Sequence, residues 1–188
     1  MLILASQSPR RSEILRQAGI PFVVMPAHVD ETVHPGEPVE EYVRRVAEQK
    51  ATAVETSDGD IVLSADTVVV IGGEILGKPR DRADAVRMLE RLVGREHEVI
   101  TGICLRRGEE LLYDRSVTRV WFTPLTREEI EQYVASGEPM DKAGAYAIQG
   151  LAAKFIQRID GSYTNVVGLP IELVTKHLPE MAARQSSL

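Results

Sequence analysis

The sequence predicts an α/β fold with a mixed β-sheet and flanking helices, and three observations carry that reading. β-Branched apolar runs, the longest being IVLSADTVVVI at 61–71, alternate along the chain with apolar stripes of helical period. The two kinds of element follow one another irregularly, without the strict βαβ repeat of an all-parallel sheet. The 188 residues are 44% hydrophobic, enough for a sizeable core in one domain spanning 1–188, or in two closely joined lobes.

The elements follow in order. Leu2–Ala5 is a short buried strand. Ser8 is an N-cap residue and Pro9 fits the first helical position, where its missing N–H costs nothing. Ile14, Leu15 and Ala18 form the stripe of that helix, and Gly19 stops it. Phe22–Met25 is a second strand, and Val39–Val54 is helical. Ile61–Ile71 is β-rich, and IGGEIL at 71–76 is a tight turn between strands. Ala83–Val93 is helical, with Asp81 as cap and Gly94 as stop. Glu98–Leu105, Leu111–Tyr113 and Ser116–Phe122 read as three strands. Thr126 with Glu129 makes a capping box for a helix that ends at Gly137, and GLPIELV opens a C-terminal helix with Pro170 in its first turn.

Composition narrows the function classes. A net charge of −6 with no basic stripe argues against a nucleic-acid partner. A small anionic ligand stays open, because a few well-placed cations suffice. One cysteine, Cys104, excludes an intramolecular disulfide, and no Cys/His spacing resembles a zinc site. No apolar run approaches the ~20 residues that span a bilayer, and the N-terminus lacks a signal-peptide pattern. The expectation is a soluble cytoplasmic protein without a membrane partner.

The informative residues are charges where charge should not be. Arg10 and Arg11 open the first helix, at the end where the macrodipole already favours anions. Arg11 also stands where a capping box would have Glu or Gln. The free N–H groups, the Ser6 and Ser8 hydroxyls and two guanidiniums therefore converge, either as a solvated charge pair or as a site for phosphate. In the helix 39–54 the stripe Val39, Val43, Val46, Val54 has Lys50 at its centre. That lysine either snorkels outward along its stem or points into a cleft and needs an anionic partner. Asp66 interrupts the apolar run 61–71. It either bonds local N–H groups in a turn at Ser64–Asp66, or is a carboxylate beside a bound metal or a general base.

Weaker candidates lie on loops. Lys78 sits between a glycine and a proline, and VDET at 29–32 offers Asp30 and Glu31 as metal ligands. His28 and His34 read as surface residues, and Cys104 as core. Taken together, several cations suited to polyphosphate and two or three carboxylates suited to a hard divalent ion are what cleavage of a nucleotide anhydride needs. GxxxxGK[ST] is absent, so this is not the P-loop solution.

LASQSPRRSEIL, VDET, EQKA, SADTVV, LGKPRD, SGEPMDKAGAYAIQG and GSYTNVVGLP resemble, in order and spacing, the Maf family of nucleoside triphosphate pyrophosphatases, from residue 2 to about 175. The resemblance implies an α/β fold with a central substrate cleft, related to the inosine-triphosphate pyrophosphatases, and often a homodimer. It implies cleavage between the α- and β-phosphates dependent on Mg2+ or Mn2+. Asp66 matches the family's proton acceptor and, with Glu31, its metal-binding carboxylates. Ser6, Ser8, Arg10, Arg11, Lys50 and Lys78 match polar positions facing the phosphates. Arg11, Thr67 and Gln149 match positions associated with base selection.

AGAYAIQG resembles the branch acting on dTTP and UTP, whereas the branch preferring 7-methyl-GTP tends to carry Glu at position 149. The chemistry agrees. The uracil or thymine edge presents a donor between two acceptors, which an amide can match, while a carboxylate only accepts. Positions 152–153 are Ala-Ala where relatives commonly have glycine. Two further readings are a pyrophosphatase for modified or methylated nucleotides such as 7-methyl-GTP, and a regulator of cell division (septum formation).

Overall fold

A computed structural model of the protein describes residues 1–57 and 59–183. Among the described residues seven strands, β1 (Leu2–Leu4), β2 (Val23–Val24), β3 (Ile61–Ile71), β4 (Glu74–Leu76), β5 (Glu96–Arg107), β6 (Glu110–Phe122) and β7 (Ile156–Asp160), form one mixed sheet in the order β2-β1-β3-β5-β6-β7, with β4 alongside β3. β1 (Leu2–Leu4) is parallel to β2 (Val23–Val24) and to β3 (Ile61–Ile71), and β3 turns back into the antiparallel β4 (Glu74–Leu76). Ile71 pairs with Glu74, and the two residues between, Gly72 and Gly73, take φ of 58° and 80°. A two-residue hairpin loop of this kind needs positive φ at both positions, which glycine adopts freely.

The chain divides into two compact units. The first comprises Met1–Asp66, Thr101–Ser116 and the chain from Gly168 onward; the second comprises Thr67–Ile100 and Val117–Val167. In the first unit, α2 (Val39–Thr52) packs on the sheet through Ala47 and Ala51, one turn apart, against Ile3, Ala5, Val62 and Cys104. Small side chains there allow close approach. The Ser64 hydroxyl of β3 donates to the Ala47 carbonyl at 2.6 Å, and Gly102 of β5 (Glu96–Arg107) lies so close that a Cβ would stand 2.7 Å from Val43 and 2.8 Å from Tyr113. The unit also holds α1 (Pro9–Gln17) and α6 (Ile171–Ala183).

The second unit packs α3 (Arg82–Leu92) and α4 (Arg127–Ala135) around Leu89, Leu92, Phe122, Tyr133 and Tyr146. Asp81 caps α3, accepting from the Asp84 N–H at 2.7 Å, and the Thr126–Glu129 capping box of α4 closes in both directions. Several expectations need correction. Leu111–Tyr113 and Ser116–Phe122 are one strand, β6 (Glu110–Phe122), because the strand continues through the polar pair Asp114 and Arg115. The sequence reading also missed β7 (Ile156–Asp160), antiparallel to β6, and the short α5 (Tyr163–Val167). β7 is five residues of mixed polarity, too short for periodicity to reveal. Ser8 occupies the N-cap of α1, but its side chain makes no capping hydrogen bond. Among the described residues no helix is long and apolar enough to cross a membrane.

His97 is buried in the second unit, its Nε2 2.8 Å from the Tyr146 hydroxyl and its ring edge-on to Phe122 and Tyr146. Burial pushes this imidazole from 6.5 down to about 4. The unfolded chain therefore binds the proton at a higher pH than the folded one. The stability this residue contributes is complete above about 6.5, is lost as pH falls through that window, and levels off below about 4. The full effect is up to about 3 kcal/mol. Urea unfolding across the window should show a shallower pH slope for His97→Gln than for the unaltered chain; equal slopes would show that His97 does not titrate there.

Candidate functional site

The site grows from four segments of the first unit: the start of α1, the stretch that carries Glu31, the middle of α2, and the end of that unit's portion of β3. At the start of α1 the two arginines have different surroundings. Arg11 donates through Nε to the Gly168 carbonyl at 2.7 Å and through a terminal nitrogen to the Ser6 hydroxyl at 3.1 Å. Ser6, itself buried, also accepts the Ser8 N–H at 3.2 Å. The hydroxyl of residue 6 thus takes the local hydrogen bonding that the sequence reading expected of residue 8. Burial pulls the Arg11 guanidinium below its ordinary range; the charges of Asp66 and Glu31 oppose that shift, and Arg10 adds to it. Among the described residues no hydrogen bond or ion pair engages the Arg10 side chain.

Lys50 and Asp66 decide between the alternatives left by the sequence. β3 runs unbroken through Asp66, so the turn reading falls. Lys50 is 7% exposed and Asp66 5%, so the lysine does not snorkel. Its ammonium lies 2.8 Å from Asp66 Oδ1 and 3.0 Å from Glu31 Oε1. Strand alternation turns Ser64 and Asp66 to one face, where Ser64 meets the Ala47 carbonyl and Asp66 meets Lys50. Residues 47 and 50 are three apart and so neighbours on the helix surface. The second oxygen of Asp66, Oδ2, is buried with no hydrogen-bond partner.

Glu31 sits on a stretch without regular structure, and two residues of α2 tie that stretch down. The Tyr42 hydroxyl donates to the Glu31 carbonyl at 2.9 Å. Arg45 grips Glu37 with two hydrogen bonds, 2.6 and 2.8 Å, and donates to the Thr32 carbonyl at 3.0 Å. That fork holds the Glu37 carboxyl down at about 2. Burial, and then the Asp66 and Glu31 charges, push the Tyr42 phenol well above its usual range. The sequence reading named neither residue. The available signal was spacing: 42, 46 and 50 share one helical face, so Tyr42 lies in line with Lys50.

The remaining candidates are dispersed. Asp30 accepts the Thr32 N–H at 2.9 Å in a local turn, which leaves Glu31 as the carboxylate of VDET directed at Lys50. His28 and His34 are exposed. Cys104 is core, its thiol pushed up to about 12 by burial, which suits packing and not nucleophilic attack. Lys78, Thr67 and Gln149 belong to the second unit. Lys78 is exposed on the loop after β4, and Thr67 is half-buried on β3. Gln149 is exposed at a turn, with its flanks fixed: Tyr146 by His97, and the Leu151 N–H by Glu138 Oε1 at 2.9 Å.

The donor set fits a hard divalent ion. Asp66 and Glu31 are carboxylates gathered around one ammonium, and Asp66 Oδ2 is an orphaned buried acceptor. Mg2+ commonly takes one or two carboxylates and completes its shell with water and substrate phosphates. Among the described residues no three His, Cys, Asp or Glu side chains form a metal-holding group, so two protein carboxylates are the available number.

Comparison with known proteins identifies the chain's relatives. Residues 1–181 match the family described as Maf-like protein. A dTTP/UTP pyrophosphatase of Symbiobacterium thermophilum is 57% identical over 181 residues, 95% of this chain and 93% of that protein. One from Anaeromyxobacter sp. (strain Fw109-5) is 57% identical over 175 residues, 90% of this chain and 84% of that protein. Among solved structures, the Staphylococcus aureus Ham1 protein aligns with a TM-score of 0.54 at 15% identity, covering 96% of this chain and 98% of that one. A HAM1 protein from Coxiella burnetii gives 0.51 at 20%, covering 95% and 98%. Likeness at such identities shows a shared fold and no more. The family match along nearly the whole chain, with relatives 57% identical over nine-tenths of it or more, is decisive at the level of descent: the chain belongs to the Maf family.

Proposed function

We propose that this chain is a nucleoside triphosphate pyrophosphatase that hydrolyses dTTP and UTP at the α–β anhydride, giving the monophosphate and pyrophosphate. The observation that carries the reading is Asp66, a buried carboxylate with one oxygen on Lys50 and the other unpartnered. The names of the relatives support it at 57% identity. In this reading Arg10 and the uncapped N–H groups of α1 receive phosphate oxygens, as helix N-termini and guanidiniums do. Ser8 and Lys78 join them on the strength of the resemblance. Arg11 needs little reorganisation, since Ser6 and Gly168 already hold it.

Asp66 accepts a proton at its free oxygen from the attacking water, whose oxygen bonds to the α-phosphorus. The α–β P–O bond breaks, and pyrophosphate leaves with the electron pair. Lys50, paired with Asp66 in the free protein, turns its charge to the phosphates as the triphosphate binds. Glu31 and Asp66 would hold Mg2+ or Mn2+, which would supply neutralisation of phosphate charge. Gln149, exposed and with no side-chain hydrogen bond among the described residues, is available to the pyrimidine edge, with Thr67 and Arg11 as the other selecting positions.

Incubation with a panel of nucleoside triphosphates and Mg2+ or Mn2+ should yield UMP or dTMP with pyrophosphate; a diphosphate and orthophosphate as primary products would sink the proposal. Asp66→Asn keeps an acceptor for Lys50 but loses charge and basicity. Its kcat should fall by roughly 10²–10⁴ with the fold retained, whereas an unchanged kcat at saturating metal would reduce Asp66 to a structural acid.

Gln149→Glu tests base selection. The carboxylate would face a pyrimidine carbonyl with no donor between them, so kcat/KM for UTP and dTTP should fall roughly ten- to a hundredfold. GTP and 7-methyl-GTP, whose base edges offer donors, should lose less. A uniform change across all four substrates would show that residue 149 does not read the base.

A further inference from the structure

Lys50 stands where the proposed metal should be. Its ammonium is 2.8 Å from Asp66 Oδ1 and 3.0 Å from Glu31 Oε1, the two carboxylates that fit a divalent ion. An ammonium and a dication compete for the same oxygens and repel one another strongly where water is largely excluded. Asp66 and Lys50 are both more than nine-tenths buried, and Asp66 Oδ2 still lacks a partner. The free protein has thus answered its buried acid with an internal cation, as an unpaired buried charge requires.

We infer that Lys50 acts as an internal stand-in for the metal: it keeps divalent ions off Glu31 and Asp66 in the free protein and yields the place when a triphosphate arrives. This deepens the reading above and rests on it for the identity of the incoming anion. The charges make the order intelligible. Asp66, Glu31 and Lys50 together carry one net negative charge, so a dication added alone must sit beside an uncompensated ammonium. A triphosphate supplies several negative charges at once, toward which Lys50 can swing on its flexible four-carbon stem. Glu31, 47% exposed on an irregular stretch, can follow the incoming ion.

The test is Mn2+ binding without nucleotide, read from the electron paramagnetic resonance signal of free Mn2+. Lys50→Met and Lys50→Gln remove the charge, and both should bind Mn2+ at least about tenfold more tightly than the unaltered chain. Lys50→Arg keeps the charge and should bind it no better. Mn2+ should raise the melting temperature of the two neutral variants and leave that of the unaltered chain in place. If Lys50→Met folds only with Mn2+ present, that too supports the exchange, and Lys50→Gln supplies the affinity. The inference is overturned if the unaltered chain binds Mn2+ as tightly as the neutral variants, or if Lys50→Arg gains as much as Lys50→Gln. These measurements need no turnover. A failure of pyrimidine nucleotide hydrolysis would therefore overturn the functional proposal alone, and equal Mn2+ affinities this inference alone.

Discussion

The contact between Lys50 and Asp66 is the constraint on which the first unit depends. A carboxylate inside an apolar strand is tolerated only with a partner, and truncating one member of a buried pair costs about 3–5 kcal/mol. The pair therefore sets how α2 lies on the sheet. Ala47 and Ala51 remove the side-chain bulk that would hold the helix away, and Ser64 bonds the Ala47 carbonyl. Gly102 leaves room for Val43. With α2 fixed in this rotation, Tyr42 and Arg45 face the stretch that carries Glu31, and they tie its backbone at residues 31 and 32. One buried ion pair thus connects the sheet, the helix and the carboxylate loop.

The second unit fixes the backbone on either side of an exposed side chain. Gln149 has no regular element of its own. Tyr146, three residues before it, is clamped by His97 and stacked edge-on with Phe122, and Leu151, two residues after, is held by Glu138. Glycine at 144 is required on two counts: its φ is 66°, and a Cβ there would stand 2.7 Å from Val69. The neighbouring Ala145 also takes a positive φ, 61°, which an L-residue adopts at some cost. Backbone strain of this kind persists only where the surroundings enforce it, and it is common beside functional sites.

How much of this was legible depended on the kind of signal. Elements with strong periodicity or explicit punctuation were readable: α2 from its stripe, α4 from Thr126 and Glu129, the β3–β4 hairpin from two glycines. β7 was invisible because its five residues, IQRID, alternate weakly and their place is set by pairing with β6. In the site, Lys50 and Asp66 were conspicuous because charge broke an apolar pattern. That they answer one another was not, since they lie sixteen residues apart on two different elements, and the sequence reading left the lysine's anionic partner unnamed. Asp30 and Glu31 were indistinguishable in VDET. Only the folded backbone shows that Asp30 closes a turn on Thr32 while Glu31 reaches Lys50.

The arginines that open α1 return the argument to charge balance. Like charge at a helix N-terminus is unfavourable, and burial makes Arg11 harder still to keep ionised. The free protein meets this with neutral acceptors, the Gly168 carbonyl and the Ser6 hydroxyl, and with the field of Asp66 and Glu31. Those same carboxylates are balanced by Lys50. Two cations, Arg11 and Lys50, and two carboxylates, Asp66 and Glu31, thus sustain one another, and none of these charges can change without exposing the others. An anion that engages the arginines loosens their claim on the carboxylates, and a cation that engages the carboxylates loosens theirs on Lys50. Such a cluster favours a ligand that brings both signs together, which is what a triphosphate with its metal does.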